Sequence, residues 1–110
     1  MATIKLKKED GWEFAGVCGV DSGQIIFVDP CYVEGGLDYE QACCVTLEKR
    51  YGNACGGVVM SSGCGDGGYA VYVRHTELGE WGKRVTAAII DFCEEVEWDG
   101  NDNDNTNKED

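Results

Sequence analysis

The chain has 110 residues, enough for one domain with a modest core. Its 21 acids face nine Lys and Arg, a formal net charge of −12, and this excludes a protein that grips nucleic acid directly, which needs a basic face to displace phosphate counterions. Sixteen glycines with one proline describe a folded chain rich in tight turns, and no apolar run reaches the roughly 18 residues that mark a membrane span.

Thr3 to Lys7 alternates, Ile4 and Leu6 on one face and Lys5 and Lys7 on the other. This reads as an edge strand whose lysines discourage pairing with another chain. Trp12 to Val20 continues the strand signal, with Trp12, Phe14 and Val17 as core candidates. Asp21-Ser22-Gly23 is a turn. Gln24 to Val28 is a continuous apolar stretch, read as the central strand, and Pro30 ends it.

Residues 38–51 carry the helix signal. Asp38 is an N-cap with Gln41 three residues on, a capping-box spacing. Cys43, Cys44, Leu47 and Tyr51 recur at helical spacing, Glu40 sits in the first turn, and Lys49 and Arg50 sit in the last. Gly52 fits the position just past the C-cap. A strand through Ala42 to Leu47 is the alternative.

Gly57 to Ser61 is a short strand. Tyr69 to His75 alternates, with Tyr69, Val71 and Val73 on one face and Ala70, Tyr72 and Arg74 on the other. A turn over Glu77 to Gly82 leads into a long apolar strand, Arg84 to Phe92, closing a hairpin. The class is α+β, mostly β: an antiparallel sheet or small barrel-like sandwich with one helix over about residues 38–51. Residues 1–98 form a single globular domain, and 99–110 a disordered acidic tail.

Seven cysteines without a secretory signal indicate a reducing cytoplasm, where clustered thiols hold metal more often than disulfides. Asp29-Pro30-Cys31 and Cys64-Gly65-Asp66 each pair a carboxylate with a thiol two residues away. Asp29, Cys31, Cys64 and Asp66 together make a donor set for a structural Zn2+, with His75 and Cys55 as spare ligands. The loop SSGCGDGG around Cys64 lacks the Gly-Lys-Ser/Thr ending of a phosphate cradle and is followed by a strand, so it reads as a turn. Cys64 with His75 as a nucleophilic pair is the weakest of these constellations.

The acids are unevenly spread. Residues 94–110 hold eight acids and one base, and residues 1–93 hold thirteen acids and eight bases. A chain of this sign meets basic partners quickly, because long-range attraction speeds encounter. Glu94, Glu95, Glu97 and Asp99 are the candidate contacts, with Trp98 or Trp81 as aromatic anchor.

Three segments carry a resemblance: VDSGQIIFVDPCY (20–32), GCGDGGYAVYV (63–73) and VTAAIIDF (85–92). They resemble a family of small bacterial and phage proteins of unknown function. In that family a strand ends in Asp-Pro-Cys-Tyr, a Gly-Asp-Gly-x-Tyr turn and strand follows, and an apolar strand closes the chain. The likeness covers most of residues 16–92. It implies a compact β-rich fold with Asp29, Cys31 and Asp66 at motif positions, and no established activity; Cys64 stands where many relatives carry an aromatic.

By size, acidity and phage-like character the chain is also similar to anti-CRISPR proteins, small inhibitors that block DNA loading by a CRISPR effector nuclease. That similarity implies a non-catalytic binder in the host cytoplasm. Its partner would be a basic nucleic-acid-handling enzyme, most sharply a type II CRISPR nuclease, whose channels are positive. The alternative is a small zinc-dependent hydrolase or ligand-binding protein using Asp29, Cys31 and Asp66 as an open site.

Overall fold

The computed structural model describes residues 3–63 and 65–100. Its elements in chain order are β1 (Ile4–Leu6), β2 (Trp12–Val20), β3 (Gln24–Phe27), α1 (Tyr39–Lys49), β4 (Tyr51–Ala54), β5 (Gly57–Ser61), β6 (Gly67–Glu77), β7 (Lys83–Ile90) and β8 (Val96–Trp98). Short 3-10 turns occupy Lys8–Asp10, Pro30–Tyr32 and Gly79–Trp81. The fold is mostly β with one helix, as the sequence predicts, in three small sheets rather than a closed barrel. The expected disordered tail lies almost wholly outside the described residues. The chain divides into two compact units, residues 1–18 with 68–110, and residues 19–67.

In the first unit the sheet order is β2-β6-β7, and β1 pairs with β8. β6 and β7 form the expected antiparallel hairpin, from Val71 opposite Ile90 to Glu77 opposite Lys83, with a bulge between Arg74 and His75. As the middle strand, β6 buries side chains on both faces: Tyr69 and Tyr72 are each 8% exposed and point to opposite sides. Tyr72 meets the Phe14 ring at 5.8 Å and the Trp98 ring at 5.7 Å, while Tyr69 meets Phe92 edge-on at 5.4 Å. Such aromatic pairs favour tilted and edge contacts because ring faces are negative and ring edges positive.

Alternation along β2 turns the even positions inward, so Trp12 and Phe14 are half-buried as expected. Val17 corrects the reading: its odd position sends it to solvent at 64% exposure. β8 is an element the sequence reading missed. It is three residues long and pairs with β1 in parallel, Ile4 opposite Val96 through Leu6 opposite Trp98. Three residues, Val96, Glu97 and Trp98, are too short a run to establish a strand period.

In the second unit, β3-β5-β4 form an antiparallel sheet. The apolar β3, expected at the centre, is an edge strand, and β5 is the middle one. α1 packs on one face, where Ala42, Ala54 and Val59 form the core with Ile26, Val45 and Cys55 around them. Asp38 caps the helix as predicted, its carboxylate accepting from the Gln41 amide at 3.0 Å. The helix ends sooner than expected. Arg50 takes the left-handed conformation at φ 76°, and its N–H bonds to the Thr46 carbonyl at 3.0 Å. Tyr51 therefore opens β4. Gly52 serves packing rather than capping: a Cβ there would stand 2.9 Å from the Val45 Cγ1. Leu47, on the helical period, faces solvent at 87% exposure.

Candidate functional site

The acidic residues singled out by the sequence lie between β7 and β8 and along β8. Asp91, just past β7, organises this stretch. Its Oδ1 accepts from the amides of Cys93 at 3.3 Å and Glu95 at 2.9 Å, and its Oδ2 accepts from the Val96 amide at 2.9 Å. One carboxylate thus satisfies three N–H groups of a tight loop, in which Glu94 adopts a left-handed φ of 58°. Local side-chain-to-backbone bonding of this kind is typical of Asp at turns. The sequence reading missed this role, because the residue closes an apolar strand and looks like its punctuation.

β8 is pinned at both ends. The Ile4 amide donates to the Glu95 carbonyl at 2.8 Å, and the Asp99 amide donates to the Leu6 carbonyl at 3.3 Å. The Asp99 carboxylate accepts from the Lys8 amide at 2.8 Å. Glu94 and Glu97 are left on the surface of a fixed backbone, and Glu95 is half-buried. Glu97 approaches Lys5 at 3.9 Å with both side chains about two-thirds exposed, 66% and 67%. Exposed pairs of this type contribute about 0–1 kcal/mol, so Glu97 keeps its charge available.

Trp98 is not a projecting anchor. Its ring leans on Tyr72, it is half-buried, and its Nε1 is buried with no hydrogen-bond partner. Trp81 is the tryptophan that projects, at 67% exposure, with the Arg84 guanidinium 5.9 Å from its ring centre.

The two motif loops lie in the second unit. Asp29 Oδ1 accepts from the Cys31 amide at 2.9 Å and caps the Pro30–Tyr32 turn. Tyr32 then lies over the β4–β5 turn, where a Cβ on Gly56 would come within 3.1 Å of its ring. In the glycine-rich loop Ser62 is fully buried, and its hydroxyl donates to the Gly65 carbonyl at 2.7 Å. Asp66 lies beside Gly23, 3.9 Å from where a Cβ would stand. Cys64, the fourth expected zinc ligand, lies outside the described residues. Among the described residues no three His, Cys, Asp or Glu side chains gather at one point.

A polar network bridges β3 and α1. Gln24 donates from Nε2 to the Cys43 sulfur at 3.3 Å and accepts at Oε1 from the Thr46 hydroxyl at 2.9 Å. Cys43 also holds the exposed Tyr39 phenol above its ordinary pKa, first through a side-chain hydrogen bond to the hydroxyl and then through charge repulsion. Beside this network a cavity of about 270 Å3 opens between α1 and the sheet, walled by Ile26, Leu37, Ala42, Cys55 and Val59.

In the first unit, Lys8, Trp12, Glu13, His75 and Lys83 line a cavity of about 300 Å3. There the buried His75 Nδ1 stands 3.7 Å from the Glu13 carboxylate without a hydrogen bond.

Comparison with protein-family models, curated proteins and solved structures returned no match. No helix among the described residues is long and apolar enough to cross a membrane. The arrangement offers solvent-facing carboxylates on a fixed backbone in a strongly acidic chain.

Proposed function

We propose that the protein acts by binding: it is an inhibitor that occupies a basic surface of a nucleic-acid-handling host defence enzyme, most sharply a type II CRISPR effector nuclease, and blocks DNA loading. The observation that carries this reading is the ridge of Glu94 and Glu97, held by the Asp91 and Asp99 hydrogen bonds in a chain of net charge −12. A fixed backbone loses little loop entropy when its carboxylates meet Lys and Arg, and the surrounding negative field speeds encounter. Such nucleases hold a heteroduplex and a displaced strand in positive channels, and a strongly acidic chain matches those nucleic acids in charge.

The test is DNA cleavage by a purified, guide-loaded type II nuclease titrated with this protein. Stoichiometric inhibition is expected at low salt and weaker inhibition at physiological salt, as the screening length falls from about 30 Å to about 8 Å. Cleavage unaffected at every salt concentration overturns the proposal.

A further inference from the structure

The β3-β5-β4 sheet presents two faces, and α1 covers one of them. Strand register places Ile26, Val59 and Gly52 in one cross-strand row on the covered side. Alternation sends the adjacent rows to the other side. These are Phe27 beside Val58 beside Asn53, and Ile25 beside Met60 beside Tyr51. All but Asn53 are apolar. Phe27, Val58 and Tyr51 are 52%, 41% and 67% exposed, and Ile25 and Met60 are half-buried. An antiparallel sheet covered on one side normally turns polar residues outward. A contiguous apolar array in that place marks an interaction surface.

Charge decides what kind of partner fits it. A second copy of a chain carrying −12 is repelled, which disfavours self-association through this face. The second unit alone holds seven acids against two bases, so its complement is basic. Width narrows the shape. Three strands about 4.8 Å apart make a strip roughly 10 Å across, the diameter of an α-helix with its side chains.

We infer that this face docks an amphipathic basic helix of the protein partner. The apolar stripe of that helix lies on Phe27, Val58 and Tyr51, and its Lys and Arg are attracted by the net negative charge of the unit. This rests on the reading of the protein as an inhibitor of a basic enzyme, and it assigns the docking surface.

The experiment uses a synthetic amphipathic Leu/Lys helical peptide, titrated into 15N-labelled full-length protein and followed by NMR. Shifts centred on Phe27, Tyr51 and Val58 are expected. Affinity should fall at least tenfold in the double variant Phe27→Thr/Val58→Thr and remain unchanged in Leu47→Ser, on the exposed side of the helix. Tyr51→Thr serves as an independent variant, and melting curves check that each protein folds. Peptide shifts elsewhere, equal binding by the variants, or no binding overturns the assignment.

The same variants enter the cleavage assay. Inhibition by wild type that is lost in the double variant supports the surface. Equal inhibition by both refutes the surface and leaves the inhibitor reading standing. No inhibition by wild type, with the peptide still seated on the face, refutes the inhibitor reading and leaves the surface standing.

Discussion

Asp91 does more for the acidic ridge than any residue on it. Three amides converge on its two oxygens and tie down the loop that carries Glu94 between β7 and β8. Replacing Asp91 by Ala strands those donors; a hydrogen bond to a charged group contributes about 1.5–3 kcal/mol net, and water replaces part of this where the loop amides reach solvent. We expect a loss of about 2 kcal/mol in Asp91→Ala, read as a lower urea midpoint at unchanged slope, with a smaller loss in Asp91→Asn. Amide exchange at Glu95 and Val96 should quicken in the Ala variant, whereas an unchanged midpoint and exchange pattern would sink the anchoring role.

Tyr39 offers a second test at this scale. The fold raises its pKa, so its neutral form is favoured and its contribution to stability is fully present below the ordinary value of 10.0. That contribution fades as pH climbs through the higher folded value. In Cys43→Ala the phenol should titrate closer to 10.0, as followed by tyrosinate absorbance with Tyr39→Phe as the blank. An unmoved curve means that Cys43 is not the cause. Some of these roles are legible in the sequence, since Asp38 before an apolar period announces a cap. Asp29, read from the sequence as a zinc ligand, accepts the Cys31 amide at its turn, a role that its spacing to Cys31 does not announce. The Asp91 contacts depend on how a non-repetitive loop folds back, which no residue period encodes.

At the level of elements, the strands that announce themselves are those with a clean alternation or a turn at each end. β6 and β7 are read almost to their ends because the hairpin turn lies between two apolar runs. β8 and β4 are invisible for a different reason. Each is short, and each is held by its neighbours rather than by its own composition: β8 by β1, β4 by β5 and α1. The central-strand reading of β3 failed because a continuous apolar run signals burial on two sides. Here one side is α1 and the other is the open apolar face.

Close packing of this layer makes its glycines unequal. A Cβ on Gly57 would collide with the Phe27 carbonyl oxygen and stand 2.9 Å from the Val28 Cβ, whereas one on Gly35 meets nothing within 4 Å. Gly57→Ala should therefore destabilise by about 1–3 kcal/mol through overpacking. Gly35→Ala should be neutral or stabilise by up to about 1 kcal/mol by restricting the unfolded chain. Thermal melts of the two variants separate these outcomes, and equal melting temperatures would contradict the packing described for β3 and β5.

Over the whole molecule, charge is the property that sequence alone reads most completely, because it needs no fold. The fold adds which carboxylates are free to use it. Asp91 and Asp99 spend theirs on the backbone, while Glu94 and Glu97 keep theirs in solvent. The predicted partner set thus divides into two charges that reach outward, one carboxylate that positions them, one half-buried Glu95, and a Trp98 that packs inward. Exposed charges of this kind act mainly on association rate and on salt dependence, and buried contacts act on dissociation.

The most direct measurement is the binding kinetics of wild type and of Glu94→Gln/Glu97→Gln on guide-loaded type II nuclease, at low and at physiological salt. Association is expected to slow several-fold with the double substitution and to slow again with salt, with dissociation nearly unchanged. Absent binding, or association that neither salt nor the substitutions alter, would contradict the inhibitor reading.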